Sequence, residues 1–116
     1  DRIRLMHMLK SARRALRIAH GLNAPTLAAD EVRMLAVVKS IEIIGEASTK
    51  VSEATRQQLT SLDWQGIRQM RNRLIHGYDS IDPDRVCDAL AIDVPPLIQH
   101  IEHALAAWPS TDPHTP

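Results

Sequence analysis

The stretch "LDWQGIRQMRNRLIHGYDSID", residues 62–82, combines a helical stripe of apolar residues with a dense group of polar side chains. Asp63 stands where an N-cap residue is expected, since its carboxylate can accept a backbone N–H of the first turn. Three apolar residues then recur at helical spacing, namely Ile67, Met70 and Leu74. The stretch therefore predicts an amphipathic helix that begins behind Asp63 and ends near Gly77.

Helical spacing of apolar residues continues before this stretch. A first helix is predicted from one stripe within residues 1–20, namely Leu5, Leu9, Ala12, Leu16 and Ala19. Gly21 and Asn23 are suitable stop residues after it. A second helix over residues 31–51 carries a stripe of Val37, Ile41, Ile44 and Ser48. Its apolar surface is so wide that we expect it to contact more than one neighbour.

Two more helices complete the predicted fold. A short polar helix should begin at Ser52, and a fourth main helix should follow Asp82, with Pro83 in its first turn. Pro95 and Pro96 should kink or break that fourth helix because proline has no backbone N–H. No segment alternates with a period of two residues. The sequence therefore predicts an all-α fold, an antiparallel four-helix bundle with an additional short helix.

The composition is that of one globular domain. The chain has 116 residues, of which 44% are hydrophobic and 24% charged, enough to build a single core. We expect the domain to cover residues 1–108 and residues 109–116 to form a disordered tail, because they have nothing to bury. Phe is absent and aromatic residues make up only 3%. This argues against a sheet that stacks RNA bases on aromatic rings.

The cysteine count and hydropathy bear on location. Cys87 is the single cysteine, so no disulfide can form within the chain, which favours a reducing compartment. No apolar run approaches the roughly 20 residues that a bilayer span requires, and no signal-peptide pattern appears. The sequence predicts a cytoplasmic protein that does not interact with a membrane.

Charged residues are unevenly distributed, although the formal net charge is zero. Residues 1–20 hold six Arg or Lys against Asp1, and residues 56–78 hold four arginines against Asp63. Residues 79–102 are mainly acidic. A local basic surface could therefore face a polyanion. Solvated helix faces would explain the same pattern.

Several polar residues follow the apolar stripe of the third main helix. If the helix continued at about 100° per residue, Arg71 and Tyr78 would share a face. Asn72 and His76 would then form an i, i+4 pair. A helix that ends at Gly77 would leave His76 at the negative end of its dipole, where a cationic imidazole is favoured. Taken one by one, a surface charge, a helix cap and a packing residue would also explain the arginine, the histidine and the tyrosine.

The spacing of Arg71, His76 and Tyr78 resembles the signature of the HEPN superfamily, and more closely that of its HepT branch. The segment "IGEAS" at 44–48, near the end of the second helix, is also similar to HepT, as is the acidic, proline-containing helix after residue 82. The likeness extends over most of the chain, with the elements in the same order. It is specific because arginine and asparagine, then histidine, glycine and tyrosine, follow "DW".

The resemblance implies the toxin of a prokaryotic toxin–antitoxin pair of type II or VII. Such a toxin is a metal-independent endoribonuclease without a cofactor, and it forms a two-fold dimer that brings two motifs into one cleft. Its partner is a minimal nucleotidyltransferase (MNT-type) antitoxin that adenylylates the motif tyrosine. Carried over, Arg71 and His76 would be catalytic, and Tyr78 would be the modified residue. Asn72 and Arg73 would support them.

A second pattern of the superfamily lies on the second helix. Glu46 and Lys50 resemble its Glu-x-x-x-Lys arrangement, and we include both as supporting residues. An ordinary i, i+4 helix pair worth about 0.3–0.5 kcal/mol would explain them equally well.

The residue types suit cleavage of RNA, which supplies its own nucleophile, the 2′-hydroxyl. The enzyme then needs only proton transfer and charge stabilisation. His76 could take the hydroxyl proton or protonate the leaving 5′-oxygen, and Arg71 could hold the phosphate oxygens with its planar guanidinium. A second histidine from a symmetry mate would let one act as base and the other as acid.

Two other classes of function are open. The first is a non-catalytic HEPN-fold domain that binds a nucleotidyltransferase or a nucleotide, although the intact pair of Arg71 and His76 favours the enzyme. The second is a metal-loaded helical bundle, which would need inward-facing carboxylates on several helices. His100 and His103 lie one turn apart, but no second ligand pair matches them. We therefore predict no metal site.

Overall fold

The structure, a computed structural model, describes residues 1–76 and 80–108, with the backbone only at His76. The helices found in this part of the chain are α1 (Arg2–Ala19), α2 (Ala24–Ala28), α3 (Glu31–Thr49), α4 (Glu53–Gln58), α5 (Trp64–Arg73), α6 (Pro83–Asp88) and α7 (Val94–Ala106). A π-helical segment, Ala89–Asp93, joins α6 to α7. Two short strands, β1 (Ile75–His76) and β2 (Ser80–Ile81), follow α5.

The long helices form an antiparallel bundle centred on α3. Helix α1 packs along α3 and α7, and α5 packs on another side of α3. The guanidinium of Arg14 donates to Ser40 Oγ at 3.2 Å, and that of Arg33 donates to the carbonyl of Ile18 at 3.3 Å. These two contacts show that α1 and α3 run in opposite directions. The prediction of an all-α bundle is confirmed.

The core is aliphatic and follows the predicted stripes. On α3 the whole stripe of Val37, Ile41, Ile44 and Ser48 is completely buried. Leu5 and Met8 of α1 and Ile101 of α7 pack into the same cluster and are also completely buried. Burying each large aliphatic side chain contributes roughly 1.5–3 kcal/mol. These contacts fix the position of α3, whose other face is open to solvent.

The helix starts follow the predicted caps, with one addition. Asp63 Oδ1 accepts the N–H of Gly66 at 3.0 Å at the start of α5, and Ser52 Oγ accepts the N–H of Thr55 at 3.3 Å at the start of α4. Asn23 lies in the break after α1, as predicted, and it has a second role. Its side chain accepts the N–H of Thr26 at 3.0 Å and thereby caps α2, a short helix that the apolar spacing did not predict.

Helix α5 ends earlier than predicted. It stops at Arg73, with Leu74 as its C-cap, instead of continuing to Gly77. The N–H of Asp82 bonds to the carbonyl of Leu74 at 2.8 Å, and β1 pairs antiparallel with β2. These interactions compete with the helical hydrogen bonds of the next turn. The predicted i, i+4 pair of Asn72 and His76, and the place of His76 at the helix end, are therefore wrong.

The predicted fourth helix consists of α6, the π-helical segment and α7. Its two prolines change the hydrogen bonding, as predicted. The N–H of Val94 bonds to the carbonyl of Ala89, five residues earlier, which is the π-helical pattern. Pro95 and Pro96 have no N–H to offer to the preceding turn. The chain widens into the π-helical segment just before them and resumes as α7.

Two predictions concern the whole chain. Within residues 1–76 and 80–108, no helix combines the length and the apolar character that crossing a bilayer would need. The predicted tail, residues 109–116, lies outside the described residues, so the domain boundary at residue 108 stays a prediction.

Candidate functional site

An open groove runs between α3 and α5, on the solvent side of the bundle. Its volume is about 440 Å³. Its walls are Glu42, Gly45, Glu46 and Thr49 from α3 and Arg68, Arg71 and Asn72 from α5. Three of the predicted site residues, Arg71, Asn72 and Glu46, are therefore brought together. We call this the α3–α5 groove.

At Gly45 the backbones of α3 and α5 lie close together. A Cβ placed on Gly45 would lie 3.5 Å from the carbonyl oxygen of Ile67 and 3.7 Å from that of Arg68. These are ordinary van der Waals distances, so backbone faces backbone at this point. Because Gly45 has no side chain, the space between the walls stays open.

Arg71 is held by a carboxylate of the opposite wall. Its Nε lies 3.7 Å from Oε2 of Glu42, and its side chain is 45% exposed. The other oxygen of Glu42 lies 3.5 Å from Nζ of Lys39. A pair this open to solvent adds little to stability, about 0.2–1 kcal/mol. Its effect is on orientation, since it places the carboxylate of Glu42 beside Nε of Arg71.

Other polar residues of the groove are exposed as well. The side chains of Glu46, Arg68 and Asn72 are open to solvent. Within the described part of the chain, neither Glu46 nor Arg68 has an oppositely charged group within 4.0 Å. The groove therefore offers cationic and hydrogen-bonding groups to a ligand from solvent.

Arg73 is not part of this groove. Its Nη2 donates to the carbonyl of Gly66 at 2.8 Å, and its own carbonyl accepts from Nη1 of Arg85 at 3.4 Å. It lines clefts on the other side of α5, beside Asp93. These contacts place Arg73 between α5 and α6, where it bonds to groups of both helices.

Lys50 is also away from the groove walls. It is the exposed C-cap residue of α3. No ion pair joins it to Glu46, although both residues are described. The structure therefore brings Glu46 to the groove without Lys50.

For the other two motif residues, the structure describes at most the backbone. The backbone of His76 forms the second residue of β1 and pairs with Ser80 of β2. His76 thus follows the end of α5 by three residues. Tyr78, the predicted modification site, lies outside the described residues. Both roles stay predictions.

Two charged residues of the groove were not among the predicted site residues. Glu42 lies one turn before Glu46 on α3, and Arg68 lies one turn before Arg71 on α5. Residues three or four positions apart share a helix face. That spacing would have placed both of them next to the predicted residues.

The other reactive groups that the structure describes do not assemble into a site. Among the described residues, no group of three or more His, Cys, Asp and Glu is placed to hold a metal ion. Cys87 is a half-buried free thiol. Burial, with smaller effects from the charges of Asp84 and Asp88, raises its pKa above the usual value. A raised pKa lowers the thiolate fraction, so Cys87 is a poor nucleophile.

Comparison with known proteins identifies the family. The sequence model of the family described as "Ribonuclease HepT-like" matches residues 8–104. The chain belongs to this HepT-like family. The match covers every element from within α1 to within α7, so it includes both walls of the α3–α5 groove. The resemblance inferred from Arg71, His76 and Tyr78 is confirmed.

Three relatives show the extent of the similarity. "Putative RNase TTE0752" of Caldanaerobacter subterraneus is 27% identical over 101 residues, which are 87% of this chain and 90% of that protein. "Putative RNase MJ1380" of Methanocaldococcus jannaschii is 28% identical over 98 residues, 84% of this chain and 90% of that protein. "Probable ribonuclease HepT" of Thermococcus cleftensis is 31% identical over 68 residues, 59% and 62% of the two chains. No solved structure matches the chain significantly.

Proposed function

We propose that this protein is the toxin of a toxin–antitoxin pair and that it cleaves RNA at the α3–α5 groove without a metal ion. One observation carries the proposal. Arg71 stands on the wall of an open groove with its Nε paired to Glu42, in a chain of the HepT-like family. The names of the relatives, which are those of ribonucleases, support RNA as the substrate.

Arg71 binds the phosphate that is cleaved. A guanidinium fits two phosphate oxygens through parallel N–H groups. With Nε facing Glu42, the terminal nitrogens of Arg71 are the ones that meet the ligand. As the 2′-oxygen attacks, negative charge grows on the non-bridging oxygens, and a cation fixed in advance stabilises that charge.

His76 transfers protons in this proposal. The 2′-oxygen loses its proton to a base and forms a bond to phosphorus, and the bond from phosphorus to the 5′-oxygen breaks. The leaving oxygen takes a proton from an acid, so the products are a 2′,3′-cyclic phosphate and a 5′-hydroxyl. Histidine suits both steps, because its ordinary pKa lies near neutral pH.

A dimer would supply both the base and the acid for this reaction. One chain contributes one His76, and one imidazole cannot be base and acid in the same step. A two-fold axis near the groove would bring a second His76 to the same phosphate. Sedimentation should show a dimer at micromolar concentration. A monomer that cleaves RNA at the full rate would contradict this part.

The antitoxin in this proposal is a minimal nucleotidyltransferase that adenylylates Tyr78. A nucleotide attached two residues after His76 would place a bulky anion where the RNA phosphate has to bind. Tyr78→Phe should keep ribonuclease activity and escape the antitoxin. Intact-mass measurement after incubation with antitoxin and ATP tests this, and an equal mass gain on both proteins would rule out Tyr78.

The activity itself is tested with labelled RNA, with and without a chelator. Wild type should cleave in both conditions, and His76→Ala should lose activity by at least 10²-fold, the lower range for a lost acid–base group. Arg17→Ala is the control, since Arg17 is exposed on α1, outside the groove. Cleavage of an all-deoxy strand, or activity that needs Mg²⁺, would contradict the mechanism. Binding of the antitoxin without any RNA cleavage would instead favour a non-catalytic domain.

A further inference from the structure

We propose that Arg68 is a second phosphate-binding residue, which contacts the phosphate next to the one held by Arg71. The inference rests on the proposed function and names how the α3–α5 groove holds its substrate. It means that the groove binds at least two consecutive phosphates of a single RNA strand. Arg68 would position the substrate and would not act on the reacting atoms.

The geometry of α5 supports this assignment. Arg68 and Arg71 are three residues apart on one helix and line the same wall of the groove. At this spacing the Cβ atoms of neighbouring side chains lie about 5–6 Å apart. Two long arginine side chains with that separation can reach consecutive phosphates of an extended strand.

The charged groups around the two arginines differ, which suggests two roles. Arg71 faces Glu42, with Nε and Oε2 3.7 Å apart. Arg68 has no carboxylate within 4.0 Å among the residues that the structure describes, and its side chain is exposed. Arg71 therefore has a charged partner within the groove. Arg68 is free to follow the strand.

The opposite wall explains why a second cation would be needed. Glu42 and Glu46 both line the groove, and their carboxylates repel a phosphate backbone. Arg71 alone, already paired with Glu42, offsets only part of this repulsion. Arg68 faces the same space and adds a positive charge where a second phosphate would enter. The balance favours a strand that runs along α5 over one that runs along α3.

A positioning residue of this kind changes binding more than chemistry. Arg68 would contact its phosphate equally in the ground state and in the transition state, so its loss should raise KM with little change in kcat. A lost charge-assisted hydrogen bond at an exposed site corresponds to about a tenfold change. The contact should also appear in the salt dependence, where each phosphate on a single strand contributes a slope of about 0.7.

The test compares a dinucleotide with one phosphate to an oligoribonucleotide with several. For wild type, Arg68→Ala, Arg68→Lys and the control Arg17→Ala, kcat and KM are measured on both substrates. The loss in kcat/KM caused by Arg68→Ala should be about tenfold greater on the oligonucleotide than on the dinucleotide, through KM. Arg68→Lys, which keeps the charge, should recover most of it, and Arg17→Ala should show no such difference.

Binding of a non-cleavable 2′-O-methyl strand is measured in parallel at several salt concentrations. Arg68→Ala should lower the slope of log K against log salt by about 0.7, and Arg17→Ala should leave it unchanged. An equal loss on both substrates, or an unchanged slope, would overturn the role of Arg68. If wild type cleaves neither substrate, the proposed function fails, and the binding slope still decides whether Arg68 contacts a phosphate.

Discussion

The two faces of α3 differ in burial and in charge: one packs into the aliphatic core, and the other lines the α3–α5 groove. The face toward the core carries Val37, Ile41 and Ile44, all completely buried. The face toward the groove carries Glu42 and Glu46, whose side chains are partly or fully open to solvent. The buried face fixes α3 in the bundle. The exposed face presents charged side chains to the groove. A substitution on each face should therefore have a different kind of effect.

The largest effect is expected on the core face. Ile41→Ala should lower the free energy of unfolding by about 2–5 kcal/mol, because it removes transfer energy and leaves a cavity in the aliphatic core. Denaturant unfolding followed by circular dichroism measures this. A loss below about 1 kcal/mol would show that the core face can collapse around the gap, and the contrast between the faces would weaken.

A smaller effect of another kind is expected for Glu42→Gln. The substitution removes the charge that faces Nε of Arg71, so kcat should fall by up to about fivefold, the equivalent of about 1 kcal/mol for an exposed ion pair. KM should not rise, since a repelling carboxylate has also gone. Unfolding should change by less than about 1 kcal/mol.

Lys39→Ala is the matched control for this substitution. It removes the other cation near Glu42, at 3.5 Å, and leaves Arg71 in place. It should have a much smaller effect on kcat. Equal losses for the two variants would mean that the net charge of the groove matters and that the orientation of Arg71 does not.

A local effect of similar size is expected at the start of α5. Asp63→Ala removes the side chain that accepts the N–H of Gly66 at 3.0 Å, and should cost about 1 kcal/mol of stability. Asp63→Asn should restore most of it, because asparagine is as good a cap. Thermal unfolding of the three proteins measures the difference. If Asp63→Asn is as unstable as Asp63→Ala, the carboxylate acts on the helix by its charge.

Local patterns predicted the bundle well because caps and stripes depend on residues close in sequence. Asp63 and Ser52 cap the helices that they were expected to cap. The end of α5 could not be predicted in this way. It depends on the bond from Asp82 to Leu74, eight residues apart, and on a strand pair that is only two residues long on each side.

The grouping of residues in the candidate site was predicted in part, for similar reasons. The pairing of Glu42 with Arg71 joins two helices, and no spacing within one helix reveals it. The place of Arg73, by contrast, could have been foreseen. At about 100° per residue it lies roughly 200° from Arg71 on the helix, so it faces away from any groove that Arg71 lines. The structure shows it bonded to Gly66 instead.

The most direct test of the account measures cleavage and folding together in Arg71→Ala. The rate of cleavage of an RNA strand, under conditions where chemistry is measured in a single turnover, should fall by about 10²–10³-fold. The free energy of unfolding should change by less than about 1 kcal/mol, since Arg71 is half exposed and its pair with Glu42 is open to solvent. A full rate of cleavage by a well-folded Arg71→Ala protein would contradict the assignment of the α3–α5 groove as the site of cleavage.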